Sequence, residues 1–366
     1  MREMAQWEKL NVLFVFTASA LFAFCCFAIP YAFHRNEQSI DTDASQANGA
    51  IHIFPSIDKS RGGQIAVRDK LLALFVPHDP SSIFTVLDAI SGNSSLSQNC
   101  HEIAHDLGHR AYELYGFSGA MALSDQNRQS YVVIGEICAG GYMHGIMEEL
   151  LLDQPTLKNK IADMCATVPP VNRASCFHGI GHGLMFLHAR DVSASLADCK
   201  TMGRVDDQTH CYEGVWMEMF WGDTGHALNN ALGWSPDQPL QPCIDAPNNA
   251  KPACFLYANL GYLRMHSKDF AGAINECMNL KLSQSDRDFC LKGTGMTMMQ
   301  YFLNHHLDQP ENYVLNFKPE EKYAYYQGLI AYARLSDISD ADIGTFCRTL
   351  KNDQDICLSI LKNTPR

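Results

Sequence analysis

The chain opens on a long apolar run. Residues 10–33, beginning LNVLFVFTASALFAFCCFAIP, are 24 residues without a charge between Lys9 and His34. Roughly 20 helical residues, at about 1.5 Å each, cross the hydrocarbon core of a bilayer. The run therefore predicts one transmembrane helix, an uncleaved signal anchor behind a cytoplasmic segment 1–9. A cleaved signal peptide is the alternative, but the run is longer than the usual apolar region of one and no convincing small-x-small site follows it. Residues 34–63 are polar, lack a sustained period and read as a tether. From residue 64 to 366 the pattern turns helical, starting with AVRDKLLALFV at 66–76, and strand-like alternation is scarce. Both leader readings export this domain to the periplasm, lumen or extracellular space. The anchor reading also predicts single-pass membrane association.

Cysteine placement sharpens the helical reading. Of the 14 cysteines, Cys25 and Cys26 lie in the apolar run, and an even number remains beyond it. In an oxidising compartment that arrangement predicts disulfides. Beyond Cys138 the cysteines fall in local pairs: 165 and 176, 199 and 211, 243 and 254, 277 and 290, 347 and 357. First members recur after 34, 44, 34 and 70 residues, the last being twice 35. A period near 35 is the signature of stacked helical hairpins. Helix A is expected to end near the first cysteine (DFAGAINECMNL), with a polar loop after it (KLSQSDRD). Helix B is expected to open at the second (FCLKGTGMTMMQYF). The long gap predicts one cysteine-free hairpin using residues 318–335. Structural zinc is a poorer reading, because its tight C-x2-C pairs are missing. Cys100 and Cys138, 38 residues apart, form a candidate pair across neighbouring hairpins, and the sequence leaves their partners open.

This plan resembles tetratricopeptide-like solenoids, and especially Sel1-like repeats in their cysteine-stapled exported form, over roughly residues 155–366. The resemblance implies an all-α fold of helical-hairpin repeats stapled by local disulfides, either an open solenoid or a closed α/α toroid. The alanine, leucine and glycine signature of Sel1 repeats is absent, so no family function or residue carries over.

Aligning the helix B starts from their cysteines exposes a second pattern. Glycine stands three residues on in four of them: Gly141, Gly179, Gly214 and Gly293. Glycine within a helix costs about 1 kcal/mol against alanine, so its repetition at one register predicts close approach of neighbouring backbones. Residues two, six and ten beyond the cysteine share one helix face. That stripe holds His144 and Glu148, then His178 and His182, then Glu213. The stretch NCHEIAHDLGHRAYE offers His101, His105 and His109 at the same spacing of four. If these helices line one wall, histidines and carboxylates converge from three or four of them, as ligands do in helical bundles. Imidazole with carboxylate suits a divalent transition metal; zinc or iron is favoured, and manganese and copper are compatible. The expected ligands are His101, His105, His144, Glu148, His178 and His182. His109, Glu213 and Glu218 are expected to orient ligands or touch substrate.

The same stretch contains H-E-x-x-H and so resembles the zincins, which implies His101 and His105 as ligands and Glu102 as general base. The longer metzincin pattern matches at Gly108, but Ala111 stands where its last ligand belongs. HDLGH is similar to the His-Asp pair of HD phosphohydrolases, implying His105 and Asp106, without identifiable further partners. His188, His305 and His306 are off the stripe and read as surface residues. Methionines in GYMHGIMEE and HGLMF, with Trp216, Phe220 and Trp221, read as core.

A net charge of −12 argues against nucleic acid as a partner. No glycine-rich phosphate loop, serine nucleophile elbow or CxxCH motif occurs. The sequence thus points to a metal-dependent enzyme, hydrolase ahead of oxygenase, with Glu102 or Glu148 as base. The alternative is a non-catalytic helical-repeat scaffold that binds a protein or peptide in its concave face.

Overall fold

Helix follows helix through the computed structural model, which describes residues 72–73, 100–125, 138, 140–168, 170–220, 235, 238–266, 269–305, 310–336 and 338–364. The expected span at 10–33 and tether at 34–63 lie outside these residues, and of the run at 66–76 Leu72 and Ala73 are helical. Among the described residues there is no strand, only an isolated bridge between Ser235 and Gln238. No helix among them is long and apolar enough to cross a membrane.

Ahead of the stapled hairpins the described residues include two long helices, α1 (Cys100–Asp125), kinked at Gly116 where φ is 66°, and α2 (Gly141–Asp153). The hairpins then run α3 (Ile161–Thr167) to α4 (Pro170–Leu187), and α5 (Val192–Cys199) to α6 (Val205–Phe220). Next come α7 (Gln241–Asp245) to α8 (Lys251–Met265), and α9 (Phe270–Asn279) to α10 (Gln284–His305). After α11 (Pro319–Leu335), α12 (Asp340–Thr349) and α13 (Gln354–Asn363) close the chain. Three of the short A helices start where the sequence supplies a cap. Asp191 accepts from the Ala194 amide, Asp269 from Gly272 and Ser339 from Asp342, each satisfying an amide that an uncapped first turn leaves open.

The five local disulfides form as expected, Cys165–Cys176, Cys199–Cys211, Cys243–Cys254, Cys277–Cys290 and Cys347–Cys357, with Cα atoms 5.2–5.7 Å apart. Cys138 is also disulfide-bonded, to a cysteine outside the described side chains. One detail of the expected register needs correction. Helix B does not open at the second cysteine but three to six residues before it, so the staple grips the B helix in its first or second turn. Acidic residues in the loop, such as Asp206 and Asp286, already lie in the helical first turn, where negative charge suits the helix dipole. The cysteine-free unit falls in the expected place, and among the described residues its first arm is the 3-10 turn Pro310–Tyr313 ahead of α11.

The B helices pack in chain order, α1 on α2, then α4, α6, α8, α10, α11 and α13, while the short A helices lie against their own B partners. Glycine makes this row tight. A methyl group on Gly141 would collide with the His101 carbonyl, on Gly145 with that of His105, and on Gly214 with that of His178. Farther along, Gly293 meets the Leu256 carbonyl, and Gly295 and Gly328 close the contact of α10 with α11. The predicted close approach is therefore real, and near α1, α2, α4 and α6 it occurs beside the histidines. Around these contacts Tyr142, Phe177, Leu107, Ile180 and Phe220 are fully buried, as are the site-adjacent Met143 and Met147. Trp216 is also core, and its indole N–H donates to the Ala250 carbonyl at 3.1 Å.

Candidate metal centre

Helix α1 brings His101, His105 and His109 to the row, α2 brings His144 and Glu148, α4 brings His178 and His182, and α6 brings Glu218. The ring centroids of His105, His144 and His182 lie 5.1–5.3 Å from one another. Four overlapping groups have ligand atoms within 4.8 Å: His101–His105–His144, His144–His178–His182, His105–His109–Glu148 and Glu148–His182–Glu218. His105, His144, Glu148 and His182 each belong to two groups, so the four groups close into a ring.

The contacts inside this ring are short. His101 Nδ1–H donates to the Cys138 carbonyl at 2.7 Å, which leaves Nε2 with its lone pair. That Nε2 lies 3.1 Å from His105 Nε2, which is in turn 3.2 Å from His144 Nδ1. His105 Nδ1 is 3.1 Å from Glu148 Oε1, and His109 Nε2 is 2.8 Å from Glu148 Oε2. His182 Nδ1 is 3.1 Å from Glu218 Oε2 and 3.6 Å from Glu148 Oε1. Despite these neighbours no donor is aligned on Glu148 Oε1, and His178 Nε2 and His182 Nε2 also lack hydrogen-bond partners. All three atoms belong to buried side chains. A buried polar atom without a partner costs about 1–3 kcal/mol, and Glu148 Oε1, which faces His105 Nδ1 and His182 Nδ1, fits a bound cation.

At three of the rings the electrostatics favour the unprotonated form that metals require. Burial, followed by the charge of neighbouring His105, pushes His101 down to about 3. Burial and the adjoining rings likewise hold His144 and His178 well below the ordinary histidine range. His105 and His109 go the other way: burial opposes their charge, but the facing glutamates outweigh it, and His109 rises to about 10. Burial would raise Glu148, yet the surrounding His105, His109 and His182 hold it below the carboxylate range.

Of the residues expected from the sequence, Glu102, Glu213 and Asp106 belong to none of the four groups. Glu213 instead accepts from His210 Nδ1 at 2.9 Å. His188 is no free surface residue but sits half-buried, 2.7 Å from Asp198. Two participants escaped the stripe. Glu149 accepts from His109 Nδ1 at 2.8 Å, and its position directly after Glu148 was the only available signal. Arg190 reaches Glu218 Oε1 at 3.1 Å while its guanidinium covers Phe186. It does so from a left-handed turn, φ 71°, beyond the end of α4, where helical spacing says nothing.

No family model, curated protein or solved structure matches the chain. Function is therefore argued from the site itself.

Proposed function

We propose that the chain is an exported, membrane-anchored metalloenzyme whose His/Glu cluster binds a divalent transition metal for hydrolysis. The carrying observation is the convergence of histidines and glutamates from four helices, with the buried Glu148 Oε1 unpartnered among them. Zinc and iron suit this mixture of imidazole and carboxylate best. Such an ion supplies Lewis acidity and activates water at neutral pH. The chain's own residues do the rest. His101 is oriented through the Cys138 carbonyl, an arrangement that fixes the ring and its free nitrogen. Glu148 acts as ligand rather than base, because its oxygens face His105, His109 and His182. His109, carrying its proton between Glu148 and Glu149, is the proton donor at the half-buried edge of the cluster.

The frame is read as an open, Sel1-like stack of hairpins, supported by the chain-order packing of its B helices. Local staples support an oxidising compartment, and the apolar run at 10–33 supports the anchor. Elemental analysis of the purified full-length protein tests the central reading. Stoichiometric zinc or iron is expected, reduced in His105→Ala and in His182→Ala while helical content stays. A wild-type protein that takes up no ion would replace the enzyme with a scaffold binding protein or peptide.

A further inference from the structure

Four ligand groups cannot all be filled, because each shared histidine serves one ion. Ring orientation removes one group. An imidazole lone pair lies in the ring plane, so rings that bind one ion must turn their planes toward a common point. His144 and His178 are stacked, with centroids 4.6 Å apart and planes only 10° from parallel, and His144 and His182 are stacked within 23°. Their lone pairs run side by side and do not meet. His101, His105 and His144 instead stand edge-on to one another, at 63°, 70° and 74°.

Hydrogen bonding removes a second group. Both nitrogens of His109 already face carboxylate oxygens at 2.8 Å, Glu148 on one side and Glu149 on the other. The His105–His109–Glu148 group therefore lacks a free imidazole donor at one corner. The two groups that survive, His101–His105–His144 and Glu148–His182–Glu218, share no residue.

Their spacings fit. Donors bound at about 2.05 Å around a tetrahedral ion stand about 3.3 Å apart. The first group shows 3.1 and 3.2 Å between its nitrogens. The second shows 3.1 Å from His182 Nδ1 to Glu218 and 3.6 Å to the unpartnered Glu148 Oε1.

We infer that the centre holds two divalent ions in sites of unlike donors, one on His101, His105 and His144 and the other on Glu148, His182 and Glu218. This rests on the metal reading above and assigns its ligands. His178 is then a wall that stacks on His144 and fixes its ring, not a ligand. The donor sets differ in kind. Three neutral imidazoles suit zinc or copper, while two carboxylates and one imidazole also suit iron or manganese. Arg190, 3.1 Å from Glu218, orients that carboxylate.

The test is zinc titration of the metal-stripped full-length protein, with zinc counted per chain and far-ultraviolet circular dichroism as the fold control. Wild type is expected to bind two zinc ions, in two steps of different affinity. His101→Ala and Glu218→Gln are each expected to bind one, and the double variant none. His178→Ala is expected to keep two. One ion in wild type overturns the two-ion assignment but leaves the metal reading intact, whereas none overturns both. Loss of an ion in a folded His178→Ala overturns the assignment, since the stacked group would then be the true site.

Discussion

Replacing Gly145 by alanine asks whether close helix contact is what assembles the centre. The new methyl would run into the His105 carbonyl oxygen and lie 2.9 Å from the His109 backbone nitrogen and 3.0 Å from the His105 carbonyl carbon. Carbon atoms in ordinary contact sit about 3.5 Å away, so α1 and α2 must part locally by roughly 1 Å. The separation of His105 Nε2 from His144 Nδ1 is 3.2 Å. Parting the helices carries it to about 4 Å. Two donors held at about 2.05 Å span at most about 4.1 Å, and only with the ion in line between them. Overpacking of this kind costs about 1–3 kcal/mol, and about 1.4 kcal/mol is tenfold in an equilibrium constant. Zinc affinity, measured by competition with a chromogenic chelator, is expected to fall about tenfold or more, together with a lower melting temperature. Gly203→Ala is the control, because nothing lies within 4 Å of a methyl there. Wild-type zinc affinity in folded Gly145→Ala would refute the claim that glycine contact sets the ligand spacing.

Non-reducing peptide mapping is expected to recover the five local staples. Closing a loop of about 15 residues is worth about 3 kcal/mol in the chain-entropy model, so reductant should lower the melting temperature in steps; free thiols at these positions would contradict the hairpin register. Asp353→Ala strips the partner from Lys322 Nζ (2.7 Å) and from the buried Tyr326 hydroxyl (3.0 Å). Leaving that lysine unpaired is expected to cost about 3 kcal/mol by urea denaturation, and a loss below about 1 kcal/mol would show the pair to be solvated. Asp207 is held below its usual range first by its hydrogen bonds from Arg173. A depressed carboxyl contributes stability that is full above its unfolded pKa of about 3.9 and fades as pH falls through the lower folded value. Asp207→Asn is therefore expected to flatten the acid limb of urea-midpoint against pH, and an unchanged limb would contradict the linkage.

Regular spacing carried most of what the sequence revealed. Separations of 10–13 residues announced the staples, and glycine three beyond a cysteine announced the tight row. Histidines four apart announced which faces meet. Each is a periodic feature, and helical geometry turns period into position. Features outside the period were harder. Helix B begins before its cysteine because the loop's acidic residues sit well in a helical first turn. Arg190 enters through consecutive left-handed residues, Ala189 at φ 49° and Arg190 at 71°, which end the helical count. Glu102 follows the H-E-x-x-H pattern but joins none of the four groups, since a residue next to a ligand is turned about 100° away from the ligand face. Ring orientation, which separates His178 from His101, has no expression in spacing.

The centre also explains why so stapled a frame is needed. His144, His178, His182, Glu148 and Glu218 are all buried, and burying polar groups without full partners opposes folding. In a small zinc finger the ion itself offsets such a cost, and the metal-free chain unfolds. Here the compensation lies elsewhere. Cys165–Cys176 and Cys199–Cys211 tie the starts of α4 and α6, and Arg173 joins the same two helices through paired bonds of 2.7 and 2.8 Å to Asp207. Glycine contacts fix α1 against α2 and α4 against α6 without touching a ligand atom. All of these remain when an ion leaves. The frame can therefore hold these side chains in place without a metal, and on the metal reading this lowers the reorganisation that binding would demand. On this argument metal exchange should leave the helix row standing, and the residues that set affinity are the glycines and carbonyls behind the histidines as much as the histidines themselves.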